Sequence, residues 1–332
     1  MKAPGVVLIA SFAVLLVGCG GQQSALDVHG SPAIHLKHLI IWIVAICSIV
    51  WALVMIVLIW ALFRARDGEH RLNPETERRM TTVVAASVGI TLFVIVGFTG
   101  ASFLTTRALG VSHPADLTLK VRGEQWWWRV TYLASGSESA FETANEIHIP
   151  VGRPVRLQLE SGDVIHSFWV PSLAGKQDLI PGRPNELVIQ ANRAGVYRGQ
   201  CAEFCGLQHS HMAIFVVAVP EAQFIQWANG QRAAAVESGD PDVAKGRAVF
   251  VSKPCAACHS IRGTEAAGRT GPDLTHVGSR RTIAAGLFDT TRGSLAAWIA
   301  DPQTLKPGNN MPMVSLSSEE LRQVSAYLAS LK

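Results

Sequence analysis

Charged residues and cysteines are both scarce in this chain of 332 residues. Only 16% of the residues are charged and the net charge is +4. The arginines are scattered and form no dense basic stripe with interleaved aromatic residues, which excludes a nucleic-acid-binding surface of the usual basic kind. Four of the six cysteines form two close pairs. Such pairs favour cofactor attachment over a disulfide framework.

Two long stretches lack charge altogether, at about residues 39–63 and 83–104. Each is long enough to cross the hydrocarbon core of a membrane as a helix, and the mean hydropathy of +0.25 is high for a soluble protein. The segment between them carries five arginines, which predicts a cytoplasmic loop with both chain termini outside. A pair of buried core helices is the alternative. We therefore predict a transmembrane hairpin within residues 19–112, in a bacterial inner membrane.

The first residues are typical of a secretory signal peptide. One lysine precedes an apolar run that ends in small residues. Leu16-Val17-Gly18-Cys19 resembles the lipobox of bacterial lipoproteins, which implies that residues 1–18 are removed and that Cys19 is lipidated. An ordinary signal peptide and a third membrane span are the alternatives.

From residue 113 onward, alternation of apolar and polar residues replaces the long apolar runs. Residues 117–122 and 155–160 alternate strictly, which is typical of half-buried strands. Residues 186–190 and 214–219 are further strand candidates. Short strands separated by glycine and proline predict an all-β domain, an antiparallel sandwich or barrel, over residues 113–220.

Near the end of this domain, CAEFCGLQHSHM (residues 201–212) places two cysteines, two histidines and a methionine within one short segment. A disulfide between Cys201 and Cys205 is compatible with an oxidising compartment, but it leaves His209 and Met212 without a role. Zinc accepts cysteine and histidine but has little use for a thioether, whereas copper suits thiolate, imidazole and a weak methionine together. A second thiolate allows two copper ions to share both sulfurs, so that one unpaired electron spreads over both metals.

This loop resembles the dinuclear copper A loop of cytochrome c oxidase subunit II, and residues 163–171 resemble the segment that supplies the first histidine ligand in that family. The resemblance implies a cupredoxin-like fold with two bridging thiolates, two imidazoles, one thioether and one main-chain carbonyl, that of Glu203. It also implies that the Glu203 side chain reaches a magnesium or manganese ion at the border with the catalytic subunit. His211 has no transferable role and is expected at the surface or beside the site. The implied copper ligands are His166, Cys201, Glu203, Cys205, His209 and Met212.

Three consecutive tryptophans, Trp126, Trp127 and Trp128, stand early in the same domain. Aromatic residues favour strands, so packing in the sheet is the plain interpretation. The family has an aromatic cluster here that lies over the copper site. The resemblance therefore implies that Trp126 is the residue at which electrons enter the domain.

The second cysteine pair lies in Cys255-Ala256-Ala257-Cys258-His259, a C-x-x-C-H motif that is typical of covalent haem c attachment. The two thiols add to the haem vinyl groups and the histidine becomes the proximal iron ligand. A thioredoxin-type redox pair expects a βαβ context, and a disulfide is the other alternative. The flanks here read as helices, at residues 243–250, 293–300 and 318–331. Residues 221–240 read as a helix followed by a linker.

Residues 241–332 resemble an all-α class I cytochrome c with one haem. Residues 271–274 resemble the loop in which a proline carbonyl, here that of Pro272, accepts a hydrogen bond from the proximal histidine. His276 follows that loop too closely to compete as a ligand and is expected at the surface.

Two methionines compete for the sixth iron position, Met311 and Met313. Pro312 biases the residue before it toward an extended backbone, and Asn-x-Met-Pro resembles the ligand loop of fused cytochromes in this family. We therefore predict Met311 as the iron ligand, with Met313 packed at the haem edge.

Glu77 lies just before the second apolar run, in surroundings that resemble a proton-admitting pattern of the family. Met80 departs from that pattern, because the family has tryptophan there. A solvated helix cap is the alternative interpretation of Glu77.

The resemblance as a whole implies a multidomain subunit II of a haem–copper cytochrome c oxidase with a fused cytochrome c. Electrons would pass from haem c to copper A and then to subunit I, where oxygen is reduced. The implied partners are subunit I and the other oxidase subunits, the membrane, and a donor that is either a soluble cytochrome c or another respiratory complex. A copper-handling membrane lipoprotein and a subunit of another copper A reductase are the alternatives, and a quinol oxidase subunit would lack the copper ligands.

Overall fold

The computed structural model describes residues 21, 23–64, 74–109, 115, 117–134, 136, 138–236 and 238–332. The chain divides into two compact units, one of Ile34–Ser112 and one that combines Met1–Ala33 with His113–Lys332. The predicted signal peptide over residues 1–18 and the lipid attachment predicted at Cys19 lie outside the described residues.

Two long helices make up most of the smaller unit, α1 (Ser31–Arg64) and α2 (Pro74–Leu109). At about 1.5 Å per residue, each is longer than the roughly 30 Å hydrocarbon core of a membrane, and each contains an apolar stretch suited to crossing it. The large apolar side chains point outward, among them Trp42, Phe63 and Phe93. The described helices thus present the apolar surface that a lipid environment requires. The predicted pair of apolar helices is confirmed.

Within the described residues, the first domain of the larger unit contains ten strands. They are β1 (Leu117–Glu124), β2 (Trp127–Tyr132), β3 (Phe141–Ala144), β4 (Glu146–Pro150), β5 (Val155–Ser161), β6 (His166–Trp169), β7 (Gln177–Leu179), β8 (Asn185–Ile189), β9 (Gly195–Cys201) and β10 (Ala213–Val219). One sheet has the order β3-β2-β1-β5-β8 and the other has the order β4-β10-β9-β6-β7. The two sheets enclose one apolar core.

The core of this sandwich is built from the alternating residues that predicted the strands. Leu119 and Val121 of β1 are fully buried, as are Leu157 and Leu159 of β5. The predicted all-β sandwich is confirmed, but the prediction that it is antiparallel is wrong in two places. Strand β1 pairs with β5, and β4 with β10, in parallel. Alternation shows which residues face the core, yet it is the same for both strand directions and cannot distinguish them.

Helix α3 (Glu221–Arg232) follows β10 and packs on the sandwich. Its Trp227 stacks on His148 of β4 with ring centroids 4.0 Å apart, and it meets Tyr132 of β2 edge-on. The helix predicted after residue 220 therefore packs with the strands that precede it.

The C-terminal domain is mainly helical. Asp240 accepts a hydrogen bond from a first-turn amide of the first of these helices, and Ser317 and Glu320 form a capping box on the last. The two helices cross at Gly246, where a Cβ would lie 2.1 Å from the carbonyl oxygen of Gln323, so only glycine allows this approach. The predicted helical cytochrome c fold is confirmed, with a two-stranded ribbon added. Its elements are α4 (Pro241–Ser252), α5 (Cys255–Cys258), β11 (Thr282–Ile283), β12 (Phe288–Asp289), α6 (Arg292–Ala300), α7 (Pro302–Leu305) and α8 (Ser318–Ser330).

Candidate metal and haem sites

Strands β6 and β9 and the loop after β9 bring the predicted copper ligands together. His166 begins β6, and Cys201 ends the neighbouring strand β9. The loop then returns to the start of β10, and its base is closed by the amide of Cys201, which donates to the carbonyl of Met212 at 2.9 Å. Gly206 within the loop has a φ of 111°, a backbone conformation that other residues rarely adopt. The sheet thus places the histidine, and the loop places the remaining ligands.

The two thiols lie at the centre of this arrangement. The Sγ atoms of Cys201 and Cys205 are 3.7 Å apart. On one side, the Cys201 sulfur lies 3.8 Å from Nδ1 of His166 and 3.2 Å from the carbonyl oxygen of Glu203. Both cysteines are free thiols, and their separation is far greater than the roughly 2.05 Å of a disulfide bond.

On the other side, the Cys205 sulfur lies 3.6 Å from Nδ1 of His209 and 3.9 Å from the sulfur of Met212. Two donors bound to one metal at about 2.0–2.3 Å, with tetrahedral angles, lie about 3.5 Å apart. The observed spacings therefore fit donors that share metal ions. The combination of thiolate, imidazole and thioether favours copper over zinc.

Asp163 orients the first histidine of the cluster. His166 is fully buried, and its Nε2 donates to a carboxylate oxygen of Asp163 at 2.8 Å. That hydrogen bond turns the other ring nitrogen toward the thiols. Burial acts to lower the pKa of His166, but the Asp163 carboxylate and the Cys201 sulfur outweigh it and raise this pKa to about 8.

The two thiols are electrostatically unequal. A hydrogen bond from the Cys205 thiol, helped by His166, lowers the pKa of Cys201 far below its usual value, and the same contact raises the pKa of Cys205. The lowered pKa of Cys201 favours the thiolate, the form in which cysteine binds metals.

Two of the three tryptophans contact residues 201–212, which are called the copper loop below. The ring N–H of Trp126 donates to the carbonyl of Cys205 at 2.9 Å. The ring N–H of Trp128 lies 3.4 Å from the carbonyl of Met212. The guanidinium of Arg129 instead lies over the Trp127 ring, 4.7 Å from the centroid of that ring. Trp126 is buried directly against a predicted copper ligand. This position is compatible both with simple packing and with the predicted role as the residue at which electrons enter.

The second cysteine pair and its histidine line one cleft, whose walls come mostly from the helical domain and partly from the segment around Trp126 of the sandwich. Cys255 and Cys258 are free thiols at the two ends of α5. His259 Nδ1 donates to the carbonyl of Pro272 at 2.8 Å, and since a carbonyl only accepts, Nε2 keeps a free lone pair. A Cβ on Gly271 would lie 2.5 Å from the His259 ring. These residues fit a haem that is attached through both thiols and bound by the imidazole.

Met311 lines the same cleft. Its amide donates to the Asn309 side chain at 2.7 Å, and its carbonyl accepts from the Gln303 side chain at 2.8 Å, so the loop is held on both sides. Met313 is 62% exposed, and the prediction that it packs at the haem edge is wrong. Its two neighbours in the chain, Pro312 and Val314, line the cleft, whereas Met313 does not.

The surface location predicted for His276 is also wrong. His276 is only 5% exposed, and its two ring nitrogens lie 3.1 Å from main-chain oxygens of Lys332 and Ala233. Those partners are far away in the chain, so no local pattern could have indicated the burial.

Three other predicted residues have exposed or half-exposed side chains. The Glu203 carboxylate is 43% exposed and lies 3.9 Å from the ammonium of Lys176, and among the described residues it belongs to no cluster of three or more acidic, histidine or cysteine ligand atoms. His211 is exposed within the copper loop. Glu77 is exposed in the first turn of α2, where a negative charge also suits the helix dipole.

Two residues that the structure places at the sites, Asp163 and Lys306, had no role predicted from the sequence. For Asp163, the available signal was a carboxylate three positions before a predicted ligand. For Lys306 there was none, because its partners are 180, 95 and 22 residues away in the chain. Burial lowers the pKa of Lys306 to about 7, while the carbonyl oxygens around its ammonium favour the protonated form.

Comparison with known proteins matches both soluble domains. The profile of the family described as cytochrome c oxidase subunit II, periplasmic domain, matches residues 129–219, and the profile described as cytochrome c matches residues 243–332. The chain is similar to cytochrome c oxidase subunit 2 of Alkalihalophilus pseudofirmus, with 32% identity over 330 residues that cover 96% of this chain and 94% of the relative. It is also similar to cytochrome c oxidase subunit 2 of Bacillus subtilis, with 28% identity over 352 residues that cover 98% and 97% of the two chains.

Among solved structures, the chain is similar to the periplasmic domain of subunit II of cytochrome oxidase from Bradyrhizobium japonicum. The two share 34% sequence identity with a TM-score of 0.35, over 37% of this chain and 97% of that one.

Proposed function

We propose that this chain, which belongs to the cytochrome c oxidase subunit II family, carries electrons from a haem c in its C-terminal domain to a dinuclear copper A centre and on to the oxygen-reducing subunit I. The observation that supports this most is the convergence of ligand groups on two thiols 3.7 Å apart. A zinc site or a disulfide would leave the thioether and the main-chain carbonyl beside them without a purpose.

The copper ligands in this proposal divide into bridging, terminal and weak groups. When bound, a thiolate-bridged copper pair shares one unpaired electron and changes little in geometry between its redox states. The chain contributes a buried position for the donors and a carboxylate, Asp163, that fixes one imidazole. Cys201 and Cys205 would supply the bridging thiolates, His166 and His209 the terminal imidazoles, and the Met212 sulfur and the Glu203 carbonyl the weak ligands.

Cys255 and Cys258 would hold the haem through their thiols, and His259 and Met311 would supply the two iron ligands. The Pro272 carbonyl holds the histidine ring, which leaves Nε2 free for iron. A histidine–methionine ligand pair raises the haem potential. That suits a domain that takes electrons from a respiratory donor, either a soluble cytochrome c or another membrane complex.

Trp126 is the proposed point at which electrons enter the copper domain. Its ring N–H bonds to the carbonyl of Cys205, and its own carbonyl accepts from Lys306 of the haem domain at 2.8 Å. A Cβ on Gly308, in the same haem-domain loop, would lie 3.7 Å from the Trp126 ring. The side chain thus lies between a copper ligand and the loop that leads to Met311.

The remaining parts of the proposal concern the membrane and subunit I. The hairpin anchors both soluble domains on the periplasmic side of the inner membrane, with Cys19 lipidated. The Glu203 carboxylate reaches a magnesium or manganese ion shared with subunit I. Glu77 admits protons from the cytoplasmic side.

The proposed copper centre is tested by Cys201→Ser in the assembled oxidase. One thiolate cannot bridge two metals as two do, so the near-infrared band and the mixed-valence EPR signal of the centre should disappear while haem c is retained. Cys47→Ser is the matched control, because Cys47 is an exposed thiol on α1. Normal copper content with an unchanged signal in Cys201→Ser would refute the assignment.

A further inference from the structure

A lysine is buried where the copper and haem domains meet. Lys306 follows α7 directly and is only 2% exposed. Its ammonium donates to three main-chain carbonyls, those of Trp126 at 2.8 Å, His211 at 2.7 Å and Ala284 at 2.9 Å. An ammonium has three donors, so every one of them is used. Lysine is almost never fully buried without such partners, because removing a charge from water costs several kcal/mol.

The three carbonyls come from three separate segments and from both domains. Trp126 stands between β1 and β2, and His211 lies in the copper loop one position before Met212. Ala284 belongs to the haem domain, between β11 and β12. The single ammonium therefore joins two segments of the copper domain to two segments of the haem domain, its own loop included.

The haem-domain segment at this junction has a strained backbone. Ala284 and Ala285 have φ angles of 53° and 60°, in the left-handed region that residues other than glycine rarely adopt. Both carbonyls at this strained turn bond into the junction, that of Ala284 to Lys306 and that of Ala285 to the amide of Ala213 at 3.0 Å. Strain of this kind persists where the surrounding contacts require it.

The loop that begins at Lys306 continues along the copper domain. Gln208 of the copper loop donates to the carbonyl of Pro307 at 2.9 Å. Gly308, with a φ of 79°, lies where a Cβ would approach Leu207 to 3.4 Å. Five positions after Lys306 the same loop presents Met311 to the haem cleft. The loop thus contacts Trp126 at its first residue, Lys306, and ends at Met311, the predicted iron ligand.

We propose that Lys306 is the positioning residue that seats the methionine loop of the haem domain on Trp126 and the copper loop, and so sets the contact across which electrons pass between the two centres. This inference rests on the proposed function. Electron transfer between two bound centres falls steeply as their separation grows, so a small displacement of this loop slows transfer without removing either centre. Lys306 acts through Trp126, since its ammonium donates to the main-chain carbonyls of Trp126, His211 and Ala284 and not to the side chain of a proposed copper or iron ligand.

The test is Lys306→Leu in the assembled oxidase, with Lys245→Leu as the matched control. Leucine removes all three donors and adds no new iron or copper ligand, and Lys245 is an exposed lysine on α4. Transfer from haem c to copper is followed by rapid mixing, with the haem spectrum and the copper EPR signal as measures of content. We expect Lys306→Leu to slow this step at least tenfold, which is about 1.4 kcal/mol in the barrier, and Lys245→Leu to leave it unchanged.

Two further measurements separate positioning from general damage. Reduction of haem c by an external donor, and reduction of copper by a small diffusible dye, should both proceed at wild-type rates in Lys306→Leu. Only the step between the centres should be slow. A second variant, Lys306→Gln, keeps donors for part of the carbonyl set and should transfer at a rate between those of leucine and wild type.

The outcomes distinguish this inference from the function on which it rests. Wild-type protein without a copper A signal or without transfer from haem to copper refutes the proposed function. Wild-type transfer in Lys306→Leu, with both centres present, overturns the positioning role alone. Should the leucine variant fail to assemble, the glutamine variant decides by the same measurement, and a wild-type rate there overturns the proposal.

Discussion

The two cysteine pairs of this chain are built in different ways, although each lies close to a histidine in sequence. Cys201, at the end of β9, and Cys205, in the loop that follows, are buried with their thiols 3.7 Å apart. Cys255 and Cys258 are partly exposed at the two ends of one helical turn and line a cleft. The first pair needs a histidine 35 positions upstream, whereas the second pair is followed directly by its own.

This difference separates a site that depends on tertiary structure from one that depends on local structure. The proposed copper ligands meet only where β6 lies beside β9 and the loop after β9 folds back, so a change that loosens the sandwich would disperse them. The C-x-x-C-H motif has its thiols and its histidine within five consecutive residues, and a haem attached covalently through both thiols would not dissociate. We therefore expect damage to the cores to affect the two sites unequally.

The largest expected effect is on the part of the haem site that is not local, its sixth ligand. Met311→Leu should abolish the weak far-red charge-transfer band of methionine-bound haem and lower the potential, because the thioether is lost, while the haem stays attached. Met313→Leu is the matched control, since Met313 faces solvent. Visible spectra and a redox titration of both variants check this. Losses that follow Met313 instead would show the assignment to be wrong.

Two substitutions of phenylalanine by alanine test most directly whether damage to the cores affects the two sites unequally. Phe168 of β6 packs edge-on against Trp128 with ring centroids 5.8 Å apart, and Phe250 of α4 packs on Tyr327 of α8 at 6.1 Å. Replacing either by alanine should destabilise its own domain by about 3–5 kcal/mol. Phe168→Ala should also lose copper, whereas Phe250→Ala should keep its haem. Metal analysis, haem staining and thermal melts measure this, and equal cofactor loss in both would contradict the distinction.

A smaller effect is expected at the hydrogen bond between Asp163 and His166. The pKa of His166 is about 8 in the folded, copper-free chain, against an ordinary value of 6.5, so folding is stabilised below pH about 6.5 and loses that stabilisation as the pH rises through 8. The amount is about 2 kcal/mol. Asp163→Asn should flatten this part of the pH dependence in denaturation of copper-free protein, and Asp289→Asn, at an exposed position, should not. An unchanged slope in Asp163→Asn would remove the carboxylate from this role.

The smallest expected effect concerns Trp126, which lies between the two sites, and the rate of copper reduction. Trp126→Phe keeps an aromatic ring but loses the hydrogen bond to Cys205, a net contribution of about 1 kcal/mol. Copper content should remain, and copper reduction should slow several-fold. Trp127→Phe is the matched control, because Trp127 faces Arg129 and contributes no hydrogen bond to the copper loop. Equal rates in both variants would take Trp126 out of the path.

Several features were predictable because the property that selects the residue is repeated along the chain. The alternation of residues 117–122 and 155–160 predicted β1 and β5, since every second side chain must leave water. The uncharged runs predicted α1 and α2 for the same reason, at the length of a membrane. The copper ligands were named from a resemblance of the loop after β9 and of the segment at β6. Nothing local could name Lys306, because its burial depends on carbonyls from distant segments.

The amino-acid sequence by itself determined which residues carry the chemistry, because thiols, imidazoles and thioethers are properties of side chains and their close spacing survives in any fold. It also determined the apolar faces of the strands and helices. Only the tertiary structure decided the parallel pairing of β1 with β5, the exposure of Met313, the burial of His276 and the three carbonyls around Lys306. These depend on contacts between segments that are far apart in the chain, where packing and hydrogen bonding, rather than local pattern, select the partner.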